Sequence, residues 1–383
     1  MRYAFVTETW PPEVNGVALT VQSMRDGLQS LGHQVALFRP RQAADGDAAG
    51  EAGETLLRGL PVPRYPGLRF GLPATRVLAA AWRAAPPDAI YVATEGPLGW
   101  SALRAARRLG IPAATGFHTR FDAYMRDYRV PWLEPVALAW MRRFHNAAQA
   151  TLVPTRELQA WLAGAGFRNA ALLARAVDAS RFSPAHRDPA LRASWGAGAD
   201  APVAIHVGRI AAEKNLGLAV RAFRALQAAR PDARCVFVGD GPERERLARE
   251  NPDFVFCGIQ RGAALARHFA SADLFPFPSL SETFGNVTLE AMASGVPTIA
   301  FGYGAAREHL EDGVHGALPA PGDEAAFIDA CVRIGTAPDA RARMAAAAPT
   351  AVARLQPWRV AADLDALLRR LHHEGFHARA AVA

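Results

Sequence analysis

Short apolar runs alternate with helical patterns twice along this chain, which is the sequence form of a doubly wound α/β domain. In the first half the runs are Tyr3 to Thr7, Gln34 to Phe38, Ala89 to Ala93, Pro112 to Phe117 and Ala150 to Val153. In the second half they are Val203 to Val207, Arg234 to Val238, Phe254 to Cys257, Leu274 to Phe277 and Thr298 to Ala300. Each is too short for a helix and predominantly apolar, as a strand buried on both faces requires. The pattern predicts an N-terminal domain over residues 1–180 and a C-terminal one over 201–356. Between them, ASRFSPAHRDPALRASWGAGADAP (179–202) is rich in Ala, Pro, Gly and charge, and reads as a linker centred on 181–200 with a short helix inside. The Gly-rich segment Gln42 to Glu54 reads as a mobile loop. Helical spacing in PWRVAADLDALLRRLHHEGF predicts a long C-terminal helix within 357–383.

Charge refines this division. The chain has 383 residues, with 43 basic side chains against 36 acidic ones, a formal charge of +7. Residues 1–190 hold 22 arginines and 15 acids, and residues 191–383 hold 21 of each sign, so the whole excess lies in the first half. An N-terminal surface that meets an anionic membrane or an acidic acceptor explains the asymmetry, as does a plain solubility role. Of the 43 basic residues, 42 are arginine and one is lysine, Lys214. Arginine supplies surface charge without loss, so the single lysine marks a candidate position.

Three widely spaced cysteines, Cys235, Cys257 and Cys331, fit neither a zinc knuckle nor a disulfide framework and predict a reducing, cytoplasmic compartment. No run approaches the ~20 apolar residues of a membrane span, and the first residues lack the apolar core of a signal peptide.

In open parallel sheets, ligands bind beyond the carboxyl ends of the strands. Four segments have that position and character. Thr9 to Gly16 (TWPPEVNG) follows the first strand and ends in a glycine that lets the main chain approach a phosphate. VGRIAAEKN (207–215) places Gly208, Arg209 and Lys214 on one connection, and two permanent cations there suit a diphosphate leaving group. SETFGNVTLEAMASGVP (281–297) is the most informative stretch. Glu282 precedes Phe284, Gly285 and Asn286, and Val287 to Ala293 reads as a helix with Glu290 in its second turn. The amides of 284–287 form a helix N-terminus fit for an anion, while Glu282 and Glu290 accept hydrogen bonds from sugar hydroxyls on either side. The fourth segment, GFHTRFDAYMRDYRV (116–130), holds His118 at a strand end, facing the predicted interdomain cleft.

Neither G-x-G-x-x-G after the first strand nor G-x-x-x-x-G-K-[ST] occurs. Asp363 and Asp365 fall in a helical pattern and Asp45 and Asp47 in a loop, so neither pair reads as a metal site. No metal cofactor is expected, with Arg209, Lys214 and the helix amides in that role.

These motifs resemble those of glycosyltransferase family 4, the retaining sugar-nucleotide-dependent transferases of GT-B fold. The resemblance runs from Tyr3 to about Ala325 and rests on Glu282 and Glu290 in SETFGNVTLEAMASGVP, on V-G-R-x-x-x-E-K-N at 207–215 and on VGDGPERERL at 238–247. It implies two Rossmann-like domains facing across a cleft, acceptor in the first and nucleotide sugar in the second, with the last helix crossing back to the first. It implies that Arg209 and Lys214 hold the donor diphosphate, that Glu282 binds the transferred hexose and that Glu290 binds the ribose. The amides of Phe284 to Val287 would hold sugar and phosphate, Gly16 would close over the diphosphate, His118 would approach the C6 hydroxyl, and the base would lie near Gly258, Ile259, Gln260 and Arg261. Two departures stand out: Asn15 replaces a frequent second glycine, and Arg175-Ala176-Val177-Asp178 replaces R-G-V-D, a change expected to alter packing more than chemistry.

For the acceptor, residues 58–76 and 128–145 interleave arginines with aromatic and aliphatic wedges such as Phe70, Trp132 and Trp140. This suits shallow insertion at an anionic bilayer, although the second stretch also reads as a core helix. The HTRFDAY-type segment resembles that of lipid-glycosylating members. The expected partners are a nucleotide-sugar donor, GDP-mannose or a UDP-hexose, and a lipid or saccharide acceptor, with peripheral association at the inner membrane face and no nucleic acid. A soluble transferase acting on saccharides and a non-catalytic nucleotide-sugar binder are the alternatives.

Overall fold

The computed structural model describes residues 1–13, 15–46, 50–62, 69–118 and 134–380. The chain divides into two compact units, Met1–Ala176 with Pro357–Ala383, and Val177–Gln356.

Unit 1 is built on a seven-stranded parallel sheet in the order β3-β2-β1-β6-β7-β8-β9. Its strands are β1 (Arg2–Val6), β2 (Gln34–Pro40), β3 (Glu54–Leu57), β6 (Ala89–Val92), β7 (Ala113–Gly116), β8 (Ala150–Val153) and β9 (Ala170–Leu172), and β4 (Gly59–Pro61) and β5 (Arg69–Gly71) form a separate antiparallel pair. Strand alternation explains the double winding. In β1, Tyr3 and Phe5 enter one core with Val21, Leu28 and the C-terminal-helix residues Leu364 and Leu368, while Ala4 and Val6 enter another with Leu78, Trp82, Leu98 and Leu103. The helix Pro357–Ala380 lies across the helix Gly16–Ser30, so close that a side chain at Gly27 would collide with Ala361. It is pinned by Asp365, which accepts from Tyr3 Oη at 2.6 Å and pairs with His33 at 2.9 Å.

Unit 2 carries β10 (Val203–Val207), β11 (Arg234–Val238) and β12 (Val255–Phe256) in one parallel set. A second set holds β13 (Phe275–Phe277), β14 (Thr298–Ala300) and β15 (Gly316–Ala317). A bridge between Ala204 and Leu274 joins them, giving the order β12-β11-β10-β13-β14-β15. Ile210, Phe223, Phe237, Ile299, Phe301 and Phe327 fill one core against that sheet.

Two expectations need correction. Residues 181–200 are not a free linker but part of unit 2. The helix Pro189–Ser194 buries Arg192, which donates to Asp273 (2.8 Å) and to the carbonyls of Ser271 and Ala201 (2.8 Å each). Nor is Gln42 to Glu54 loose where it is described, because Asp45 holds Arg39 through contacts of 2.7 and 2.9 Å and Glu54 opens β3. Buried charge, which composition alone does not reveal, fixes both.

Candidate active site

In each unit, strand order reverses between two neighbours whose following loops leave in opposite directions, and this is where α/β sheets place ligands. The reversal lies between β10 and β13 in unit 2 and between β1 and β6 in unit 1.

In unit 2 the loop after β10 contains a single turn, Ala212–Lys214, closed by Asn215 in the left-handed region (φ 53°). The loop after β13 runs to Gly285, whose φ of 90° is open to glycine and starts the helix Asn286–Ala293. The two loops are stitched together: Asn215 Nδ2 donates to Pro278 O at 3.2 Å, and Ser281 Oγ donates to Glu213 O at 2.9 Å. At their meeting point Lys214 Nζ forms an ion pair with Glu282, and each side chain is 18% exposed. Ser279 Oγ donates to the same carboxylate oxygen at 2.9 Å, and Tyr303 Oη accepts from the Glu282 backbone N–H at 3.2 Å. Lys214 and Glu282 therefore share one place, whereas Arg209 points outward to Glu213 at 3.3 Å on an exposed surface.

Glu290 occupies the second turn of that helix. Burial pushes its carboxyl up to about 7, with the charge of Arg181 acting in the opposite direction. Phe284 is buried and its carbonyl accepts from Ala305 N–H at 2.8 Å, while Asn286 and Val287 open the helix at the rim. On the same carboxyl edge, Gly208 follows β10 and donates to Val238 O at 3.0 Å, and Gly258 follows β12 and accepts from Gly239 at 2.8 Å. Ile259 beside it exposes half its surface, a ready stacking partner for a planar ring. Sequence reasoning missed His206 in β10, fully buried between Phe237 and Phe277, its ring centroid 5.4 and 6.4 Å from theirs. Burial, helped by the charge of Lys214, holds its imidazole down at about 4, so it is neutral.

In unit 1, Gly16 is the first residue of its helix. Asn15 does not loosen this turn: it caps the helix by accepting from Ala18 N–H at 2.8 Å and donates to Thr9 Oγ1 at 2.6 Å. Glu13 ties the same turn to Gln42 at 2.9 Å. The reversal itself is lined by two carboxylates that the sequence did not single out. Glu8, after β1, accepts from Leu98 N–H at 3.0 Å, and burial pushes it up to about 7. Glu95, after β6, meets His145 Nε2 at 3.2 Å.

His118 follows β7 and is buried with both ring nitrogens engaged, Nδ1 by Arg175 at 2.5 Å and Nε2 by Tyr91 Oη at 2.7 Å. Burial and the charge of Arg175 hold its pKa well below the usual histidine range. Both ring nitrogens are thus engaged in this arrangement. The Asp178 carboxylate accepts from the backbone of Ser180 and Arg181 at 3.0 and 3.2 Å, so the chain turns there, whereas Arg175 enters the chemistry of His118. The HTRFDAY segment beyond His118 and residues 63–68 and 128–133 of the arginine-rich stretches lie outside the described residues. Of those stretches, the helix Glu134–His145 buries Met141, Phe144 and His145 and exposes Val136 and Trp140 beside Arg142 and Arg143. Among the described residues, no three His, Cys, Asp or Glu side chains converge to hold a metal ion, and no helix is long and apolar enough to cross a membrane.

Comparison with known proteins agrees with this architecture. Residues 14–181 match Glycosyltransferase Family 4, and residues 201–336 match Glycosyl transferases group 1. A GDP-mannose-dependent alpha-mannosyltransferase of Mycobacterium tuberculosis (strain CDC 1551 / Oshkosh) is 35% identical over 316 residues, 80% of this chain and 81% of its own. A GDP-mannose-dependent alpha-(1-6)-phosphatidylinositol monomannoside mannosyltransferase of Mycolicibacterium smegmatis is 29% identical over 341 residues, 82% and 84% of the two chains. In fold, the sucrose-phosphate synthase of Thermosynechococcus elongatus superposes with a TM-score of 0.80 at 20% identity, covering 97% of this chain and 99% of that one. The chain belongs to glycosyltransferase family 4, and it is a hexosyltransferase of GT-B fold that draws on a nucleotide sugar.

Proposed function

We propose that this chain transfers mannose from GDP-mannose, with retention of the α configuration, to a hydroxyl of a lipid acceptor at the inner membrane face. The observation that carries the reading is the convergence of Lys214 and Glu282 at the strand reversal of unit 2. A compact cation and an acceptor-only carboxylate on adjoining loops suit a diphosphate and a sugar hydroxyl respectively.

When donor enters, its diphosphate takes Lys214 from Glu282, and Glu282 is freed to accept from hexose hydroxyls. The bond from the anomeric carbon to the phosphate oxygen then breaks as the acceptor oxygen bonds to the same face. The acceptor proton passes to the departing diphosphate oxygen. Lys214 and the amides of 284–287 stabilise the charge that grows there, joined by Arg209 once it leaves Glu213, so the reaction proceeds without a required metal. Glu290 accepts from the ribose hydroxyls, the loop Gly258–Arg261 with Ile259 takes the base, Gly208 lets the main chain approach the phosphates, and Gly16 opens the acceptor unit's first helix. GDP-mannose is favoured over UDP-hexoses by the donor named for the two mycobacterial relatives. The lipid acceptor is supported by the name of the second of these. It is also supported by Val136 and Trp140, 65% and 39% exposed beside Arg142 and Arg143.

Thermal unfolding with GDP-mannose, UDP-glucose, UDP-GlcNAc and UDP-glucuronate tests the donor, since a ligand stabilises by mass action. GDP-mannose should raise Tm most, and a larger rise with a UDP-sugar overturns that choice. Turnover with EDTA present should equal turnover without it. Sedimentation with anionic and neutral vesicles tests the membrane reading, and equal recovery in both supernatants overturns it.

A further inference from the structure

Four arginines are buried among the described residues: Arg25, Arg39, Arg175 and Arg192. Three of them have carboxylates. Arg25 pairs with Glu54 at 3.2 Å, Arg39 with Asp45 at 2.7 Å and Glu54 at 3.1 Å, and Arg192 with Asp273 at 2.8 Å. Arg175, 7% exposed, has a histidine instead: its Nη2–H donates to His118 Nδ1 at 2.5 Å.

That single contact sets the rest of the cluster. A guanidinium can only donate, so His118 Nδ1 carries no proton, and its Nε2–H donates to Tyr91 Oη at 2.7 Å. The ring is locked neutral between a cation and a phenol. Gly116 is part of the design, since a side chain there would collide with both Tyr91 Oη and His118 Nε2. Neither partner supplies negative charge at neutral pH: burial raises the Tyr91 phenol above its usual range. Burial likewise lowers Arg175, with only Tyr91 acting in the other direction.

A guanidinium this deeply buried without a carboxylate carries a desolvation penalty that a well-shaped apolar side chain would not. Its remaining N–H groups form the planar fork that matches an oxyanion. Arg175 follows β9, His118 follows β7 and Tyr91 lies in β6, so the cluster sits at the carboxyl edge of the unit 1 sheet, where α/β folds receive ligands. The geometry points to Arg175 as an oxyanion-recognising residue of unit 1, held in place by His118 and Tyr91, that binds the phosphate ester of a phosphorylated acceptor.

This rests on the reading of unit 1 as the acceptor unit and adds a chemical requirement: the acceptor carries a phosphate. Two sources share that chemistry, a phospholipid headgroup and a soluble sugar phosphate. His118 is then a positioning residue, its ring committed to orienting the guanidinium.

The first test needs no variant. Full-length protein saturated with GDP, to fill the nucleotide site, is titrated with sodium phosphate at constant ionic strength and followed by thermal unfolding. Tm should rise saturably above the sodium chloride control, and a response equal to chloride overturns the proposal. Arg175→Met should abolish that rise while melting no lower than wild type, because it replaces an uncompensated buried charge by an apolar chain of similar length. Arg175→Lys, which keeps the charge but not the fork, should retain part of it. If Arg175→Met lowers Tm and leaves the phosphate response intact, Arg175 belongs to the scaffold and the proposal fails.

Transfer assays then separate the sources. Arg175→Met should raise KM by about 10–100-fold for phosphatidylinositol or for a soluble hexose phosphate, whichever is the substrate, the loss expected for one charge-assisted hydrogen bond. It should leave KM for diacylglycerol unchanged, and an equal rise for the neutral lipid overturns the proposal. Absence of GDP-mannose-dependent transfer in wild type would defeat the proposed reaction instead, with the phosphate titration still deciding the oxyanion site.

Discussion

The two units share one topology and put opposite chemistry at its centre. Unit 1 carries 24 basic residues against 16 acids, yet its strand reversal between β1 and β6 is lined by Glu8 and Glu95. Unit 2 carries 19 against 20, yet its reversal between β10 and β13 brings the chain's one lysine to Glu282. Net charge describes how a surface meets its surroundings at long range, while the charge at a strand end is set by a few side chains in a poorly hydrated crevice. The basic unit places buried carboxylates there, groups able to accept hydrogen bonds from hydroxyls. The neutral unit uses a cation, which suits a departing phosphate. The +7 of the whole chain reveals neither.

Removing the cation should break the comparison most sharply. Lys214→Ala should lower kcat by ~10²–10³, the usual loss for one group that stabilises a leaving charge, with little change in donor KM. An unchanged kcat would take Lys214 out of the transition state. Lys214→Arg should not restore full activity, because the planar fork is bulkier than an ammonium and fills the place beside Glu282 differently.

In unit 1, Glu8→Gln should raise acceptor KM several-fold and leave donor KM alone, since the loss is one charge-assisted hydrogen bond. A change in donor KM instead would erase the division of labour between the two reversals. The variant keeps an acceptor oxygen for Leu98 N–H, and a fall in Tm would report the loss of a carboxylate that also faces the Gly71 and Gly99 N–H groups.

A subtler difference lies in pH. The Glu290 carboxyl, at about 7 in the fold against an ordinary 4.5, favours the protonated state once buried. Its stabilising contribution is therefore complete below about 4.5 and is lost as pH rises through 7. Glu290→Gln should flatten this slope in Tm measured from pH 5 to 8, leaving the part due to Glu8. Ribose hydroxyls need the ionised form, so wild-type donor affinity should rise with pH over the same interval while the variant's does not. Parallel profiles would separate Glu290 from the ribose. The smallest effect on vesicle binding is expected from one surface ring: Trp140→Ala should weaken sedimentation with anionic vesicles, and should also lower Tm because its N–H donates to Glu95 O at 3.1 Å and its ring packs on Trp100.

The sequence carried the repeated strand pattern well. Val203–Val207, Arg234–Val238, Thr298–Ala300 and Ala150–Val153 have the bounds that their apolar runs predict, because a strand buried on both faces is predominantly apolar. Edge strands Glu54–Leu57 and Ala170–Leu172 escaped, since half-exposed residues there break the run. Residues 181–200 misled by composition: Ala, Pro and Gly resemble a linker, and only Arg192 inside unit 2 shows otherwise.

In unit 2, sequence spacing placed Lys214 and Glu282 a short step beyond β10 and β13 and Glu290 inside a helix, and the structure has them at those positions. It could not decide that Lys214 rather than Arg209 reaches Glu282, since the two cations share a loop and differ only in where the backbone turns. Nor could it decide that Arg175 holds His118, 57 residues away. Periodicity and spacing are local, and they determined the two sheets and the residues at their ends. Pairing of charges across loops distant in sequence depends on which strands lie side by side, and that was decided by the tertiary structure alone.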